Sequence, residues 1–260
     1  MHGAHRESLH VYLEASGVAR RLGAGERVRV LEIGFGLALN YLVTADRALI
    51  ARRNGTDAAL DYHAVEHELQ GAATLAALGH GAHLRHPGPL EALIEALARH
   101  ARPDPDRPDP TRPDATRPGA GGSSAPRSGI DARSAAAPAD DARPPPRLGD
   151  DRVAELDGGP SDGCGAVGLS LHLGDANGFR YAPEAFDAVY LDAFSPPVNP
   201  ECWTPAFLAA LHATLRPGGT LVSYCVRGEV RRALRAAGFG VERRPGPPGK
   251  RQTLLATRVS

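Results

Sequence analysis

The chain has 260 residues, with 30 Lys plus Arg balanced by 30 Asp plus Glu, so its formal net charge is zero. That balance excludes a global basic field for nucleic acid, while 42% hydrophobic content is ample for a core. Cys164, Cys202 and Cys225 are odd in number and unpaired in spacing, which excludes a disulfide framework and fits a reducing cytosol. No metal is expected. The opening MHGAHRESLH lacks a basic-plus-apolar leader, and no apolar run approaches a membrane span, so the expected location is the cytoplasm.

In GAHRESLHVYLEASGVARRL, Leu9, Val11, Tyr12 and Leu13 predict a short strand or an amphipathic turn leading into a helix through Leu22. Val28, Val30, Leu31 and Ile33 predict a buried strand that runs into the glycine pair Gly34 and Gly36. A strand that ends in Gly-x-Gly and opens a helix leaves backbone N–H groups unpaired. It also removes side chains where a ligand approaches. Alone the motif is weak, since some tight strand–helix turns bind nothing. Leu39, Leu42, Val43, Ala45, Leu49 and Ile50 recur at helical spacing over 37–53, with Asn40 in the first turns and Asn54-Gly55 as the stop. Residues 60–66 predict a second strand ending in Glu66, whose two acceptor oxygens suit both hydroxyls of a ribose. The competing reading is a surface acid opening the next helix. Residues 68–100 read as two helices, the second with Leu90, Leu93, Ile94 and Leu97 on one face.

Residues 101–163 differ in kind. An irregular Arg-Pro-Asp repeat and a Gly/Ser run hold too little apolar matter to offset backbone entropy, so the expectation is a disordered insertion. The fold restarts with a strand over 166–175 ending in Asp175, which is either a ligand acceptor or a turn-former before Asn177-Gly178. A further strand, 186–192, ends in Asp192 and enters a loop stiffened by Pro196-Pro197 and Asn199-Pro200. Trp203 reads as a core or lid residue rather than a stacking platform. A helix follows, then Arg216-Pro217-Gly218-Gly219, the strand TLVSYCV, a helix, a strand at 239–242 and a last strand, TLLATRV. Arg227, Arg231, Arg232, Arg235, Arg243, Arg244, Lys250 and Arg251 concentrate positive charge locally, which can neutralise phosphates in a chain that is neutral overall. The competing reading is a solvated helix face.

GFGLALN, AVE, LGDA, LDAFSPPVNPECWTPAFL, LRPGGTLVSYCV and RRALRAAGFGVERRPGPPGKRQTLLA together resemble the methyltransferase half of the bacterial tRNA enzyme that completes 5-methylaminomethyl-2-thiouridine. They resemble its stand-alone relatives still more. The specific part is Asp192 to Trp203, and the likeness covers nearly everything outside roughly 101–163. The resemblance implies a Rossmann-like, class I S-adenosylmethionine-dependent methyltransferase: an α/β fold with a mostly parallel seven-stranded sheet and helices on both faces. One domain would span 1–260, interrupted by 101–163. It implies S-adenosyl-L-methionine held by Glu7, Ser8, Gly34, Phe35, Gly36, Asn40, Glu66, Asp175 and Asp192. Asp192 would be catalytic, and Phe194, Pro196, Asn199, Lys250 and Arg251 would meet the substrate. The implied partner is tRNA at its anticodon region, with the aminomethyl group of a wobble uridine as acceptor and no FAD-binding half within these residues. The chain departs from the family at Leu37-Ala38, where relatives carry Thr-Gly. A hydroxyl and a point of close approach are lost there, which bears on cofactor affinity rather than fold. Two other readings stand: a methyltransferase of a small amine or acid, and a non-catalytic cofactor-binding module.

Overall fold

The structure, a computed structural model, describes residues 2–101, 152–157, 166–246 and 252–259. The strands are β1 (Arg27–Ile33), β2 (Ala59–Glu66), β3 (Arg152–Asp157), β4 (Val167–Leu173), β5 (Phe186–Leu191), β6 (Leu215–Ser223), β7 (Phe239–Pro245) and β8 (Gln252–Arg258). They form one sheet in the order β3-β4-β2-β1-β5-β6-β8-β7. The run β4-β2-β1-β5-β6 is parallel throughout, and β8 and β7 complete the seven-stranded core with antiparallel pairings. Strand order reverses at β1, which lies between β2 and β5, and ligands in open α/β sheets bind outside the carboxyl ends at such a reversal.

The central strands read as continuous apolar runs because both of their faces are covered. Successive residues serve opposite cores: Val28 and Val30 pack on one side of β1, Leu31 and Ile33 on the other. The first core is closed by α2 (Val18–Gly23), α3 (Leu39–Arg53), α4 (Ala72–Ala77) and α5 (Gly88–His100). The second is closed by α6 (Pro205–Thr214) and α7 (Gly228–Ala236). Thr204 caps α6, accepting from Phe207 N–H at 3.2 Å, and Pro205 follows it in the first turn.

Of the two forms expected for the amino-terminal segment, the turn is found and the strand is not: after the short helix α1 (His2–Ser8), Leu9–Glu14 make a π-helical turn that leads into α2. The π turn lets three consecutive residues, Val11, Tyr12 and Leu13, be buried together. The segment 101–163, expected to be disordered throughout, contains β3, which pairs antiparallel with β4. The outer edge of β4 offers backbone groups for RVAELD to satisfy, with a shift of register between Arg152 and Ala154. The remainder of the segment lies outside the described residues. Among the described residues no helix is long and apolar enough to cross a membrane.

Candidate active site

Backbone pairing continues past the strand ends and lines up the crevice. Gly34 N–H donates to Val65 O at 3.0 Å, Asp192 N–H to Ile33 O at 2.9 Å, and Gly174 N–H to Glu66 O at 2.9 Å. Asp175, Glu66, Gly34 and Asp192 thereby share one end of the sheet. Gly34 has φ +90°, and a Cβ there would stand 3.0 Å from Asp192 O and 3.2 Å from Ala193 N. Glycine is required at that point for the β1 turn to pass the β5 turn. Gly36, at φ +51°, has nothing within 4 Å of a Cβ position, so its bare face borders open space at the mouth. Ala38 takes a left-handed conformation at φ 64°, directly before α3. The turn that a glycine would favour therefore forms with alanine in its place.

Glu66 is bound to this turn. Its carboxylate accepts from Gly36 N–H at 2.8 Å, His67 N–H at 2.8 Å and Glu68 N–H at 3.0 Å. Asp175 is exposed and accepts from Asn177 N–H at 2.9 Å, so it forms the turn foreseen for it while standing at the crevice end of β4. Phe35 contributes backbone only: its ring is buried in the core, 6.2 Å from that of Tyr41.

Beneath the mouth lies a buried polar network. Ser8 Oγ donates to Asn40 Oδ1 at 2.6 Å, and does not cap a helix. Asn40 Nδ2 donates to Glu32 Oε1 at 2.7 Å and to Asp192 Oδ2 at 2.8 Å. Tyr12 donates its hydroxyl to Asp192 Oδ1, and Tyr62 donates to Glu32 Oε2 at 2.8 Å. Burial, then the nearby Asp192 charge, pushes Glu32 well above the usual carboxylate range, against the pull of Asn40 and Tyr62. Burial and the same Asp192 charge push the Tyr12 hydroxyl up, so it is held as a donor. The deeper carboxyl of Glu32 therefore holds a proton more readily than an ordinary carboxylate does. Glu7, half-buried on α1, lies within electrostatic reach of Tyr224.

The loop after β5 is pinned from both sides. Trp203, buried, donates Nε1–H to Phe194 O at 2.9 Å, and Tyr224 donates to Ala193 O at 3.0 Å. Ser195 O accepts from Val198 and Asn199 N–H. Phe194 is 69% exposed despite being large and apolar. Pro196 is half-buried, and Asn199 Nδ2 donates to Glu201 at 2.9 Å. Lys250 and Arg251 lie outside the described residues. The hairpin ends flanking them, Pro245 and Gln252, pair at the sheet end that holds the crevice.

Glu32, Tyr12, Tyr62 and Tyr224 were not among the expected site residues. Only Glu32 carried a signal: it is the lone acid in the strand VRVLEI, and a buried charged residue is more informative than any apolar one.

A family of S-adenosyl-L-methionine-dependent methyltransferases matches residues 161–259. With the class I sheet order and the crevice, this makes the chain an S-adenosyl-L-methionine-dependent methyltransferase. Over 259 residues, 98% of this chain and 30% of the relative, it is 30% identical to the tRNA 5-methylaminomethyl-2-thiouridine biosynthesis bifunctional protein MnmC of Cupriavidus necator. It is 49% identical over 89 residues, 34% of this chain and 14% of the relative, to the MnmC of Aromatoleum aromaticum. Among solved structures, MNMC2 from Aquifex aeolicus superimposes with a TM-score of 0.57 at 20% identity, covering 96% of this chain and 59% of that one. The chain belongs to the MnmC-like methyltransferase domains. These two matches span 30% and 14% of the length of the curated relatives concerned.

Proposed function

We propose that this chain transfers a methyl group to the 5-aminomethyl group of a wobble uridine in tRNA. The observation that carries this reading is Asp192. Its carboxylate is clamped by Tyr12 and Asn40 at the β5 terminus, directly before the exposed ring of Phe194. A fixed anion beside an exposed aromatic suits an amine carried on a flat base.

The residues fit S-adenosyl-L-methionine: the open face at Gly36 admits a ligand to the turn, and Glu66 stands beside it with acceptor oxygens for ribose hydroxyls. Gly34, Gly36 and the Phe35 backbone would form the floor, Asp175 would accept from the adenine amine, and Glu7, Ser8 and Asn40 would close the far side. When bound, the cofactor supplies an electrophilic methyl on a sulfonium. Asp192 accepts an N–H of the acceptor amine, turns its lone pair toward the reacting carbon and takes up the proton released. Phe194 stacks on the base, Pro196 and Asn199 shape its path, and Lys250 and Arg251 meet the tRNA backbone. We further propose one methyltransferase domain over 1–260 with 101–163 inserted, working in the cytoplasm.

The test is methyl transfer from labelled S-adenosyl-L-methionine to tRNA carrying 5-aminomethyluridine, read by nucleoside mass spectrometry. A methyl gain on that nucleoside is expected, and Asp192→Asn should lower the rate by roughly 100-fold or more at saturating cofactor. Transfer to a small amine but not to tRNA would overturn the substrate assignment.

A further inference from the structure

Asp192 has two carboxylate oxygens, and the amino-terminal segment governs both. Tyr12, in the π-helical turn Leu9–Glu14, donates to Oδ1 directly. Asn40 donates to Oδ2, and the face its amide presents is set by Ser8, whose hydroxyl occupies Asn40 Oδ1 at 2.6 Å. With Oδ1 engaged by a donor, the NH2 group has to point toward Asp192 and Glu32. We propose that Tyr12 is a positioning residue for methyl transfer, its hydroxyl and the Ser8-oriented Asn40 amide together aiming the remaining lone pairs of Asp192 at the acceptor amine. This rests on the reading of Asp192 given above.

The ring is placed for such a task. Tyr12 is 3% exposed, and its ring centroid lies 5.4 Å from that of Tyr190 on β5, so the hydroxyl has little freedom to turn away. Tyr12 and Asp192 are 180 positions apart in the chain, and the contact ties the first turn of backbone to the last residue before the acceptor loop. The hydroxyl therefore fixes the direction in which the Asp192 lone pairs point. The π turn is part of the device, because its wider winding brings Tyr12 inward together with Val11 and Leu13.

The test compares wild type, Tyr12→Phe, Ser8→Ala, the double variant and Asp192→Asn. Tyr12→Phe keeps the ring and its packing. Its kcat should fall about 10-fold with the KM for S-adenosyl-L-methionine unchanged. Ser8→Ala should show a smaller fall, and the double variant a non-additive one. A hydroxyl that only helped the fold would lower the denaturation midpoint and leave kcat at the wild-type value below it, and that result overturns the proposal. Wild-type activity in Asp192→Asn would sink the Asp192 reading instead. A second readout needs no acceptor. With only six tyrosines in the chain, the 13Cζ resonance that disappears in Tyr12→Phe can be assigned and followed in Asp192→Asn. It should shift when the carboxylate is neutralised; a resonance that stays put overturns the clamp even if no tRNA is methylated.

Discussion

Glu32 shows how a single residue can shape both stability and chemistry. It is fully buried, accepts from Asn40 and Tyr62, and faces the charge of Asp192 from below. Its proton affinity is raised on folding, above the ordinary carboxylate value of 4.5. The folded state therefore binds this proton more tightly than the unfolded chain does. Its stabilising share is complete below the unfolded value and is lost as pH rises toward the folded one. The expected outcome is a stability that declines as pH rises above the ordinary carboxylate value, by up to roughly 1.4 kcal/mol per pH unit from this group. Glu32→Gln should flatten that decline, as read from urea midpoints across the range. An unchanged slope would mean that Glu32 is not the titrating group. Much of this site was legible at the residue level. The structure joins Asp192, Asn40 and Ser8 in one hydrogen-bonded network with Glu66 at the turn beside it; Glu66 and Asp192 fall at strand ends and Asn40 at a helix start, positions that local pattern marks. Tyr12 was read as one more apolar position in LHVYL, because a contact across 180 residues leaves no trace in local pattern.

At the scale of elements, the parallel strands were legible because burial on both faces makes them apolar runs. The expected 60–66 is found as Ala59–Glu66, and 186–192 as Phe186–Leu191 followed by Asp192. Strand β3 was not legible: its pattern is six residues long and sits in Pro/Arg/Asp-rich surroundings, and only the edge of β4 makes it a strand. The π turn was not legible either, since helical and strand spacing compete over so few residues. The β1–α3 turn separates two roles for its glycines. Gly34 lets two backbones pass, so Gly34→Ala should destabilise by about 2–4 kcal/mol and displace Asp192, the atom it would strike being that residue's carbonyl oxygen. Gly36 meets nothing, so Gly36→Ala should cost only about 1 kcal/mol for its left-handed conformation. Its larger effect should be on ligand affinity, roughly tenfold weaker, because the added methyl enters the open face. Thermal denaturation and calorimetric titration with S-adenosylhomocysteine check the pair. Equal stability losses in the two variants would contradict the assignment.

Over the whole molecule, 30 basic and 30 acidic residues cancel, so any attraction for a polyanion has to come from how charge is distributed. Helix α7 buries Val230 and Leu234 and leaves Arg232 and Arg235 exposed. It begins just past the crevice end of β6, and β7 adds the exposed Arg243 and Arg244 near the same rim. Not all of this charge is available: Arg227 pairs with Glu229 and Arg244 with Glu242, each at 3.1 Å. Such exposed pairs contribute little to stability, and they partly neutralise the patch. Arg232 and Arg235 have no acid partner within salt-bridge distance among the described residues, although Arg235 reaches Val241 O at 3.5 Å. Arg232 stands mid-helix and Arg235 in the last turn, so they form an exposed basic face that leads away from the rim and is open to a polyanion. Replacing both with alanine should weaken tRNA binding at every sequence alike and reduce the slope of log affinity against log salt by about two. Cofactor affinity should not change, because neither residue borders the Gly36 turn. Nitrocellulose filter binding at several salt concentrations measures the slope. If the double variant keeps the wild-type slope, α7 is a solvated face and takes no part in binding a polyanion.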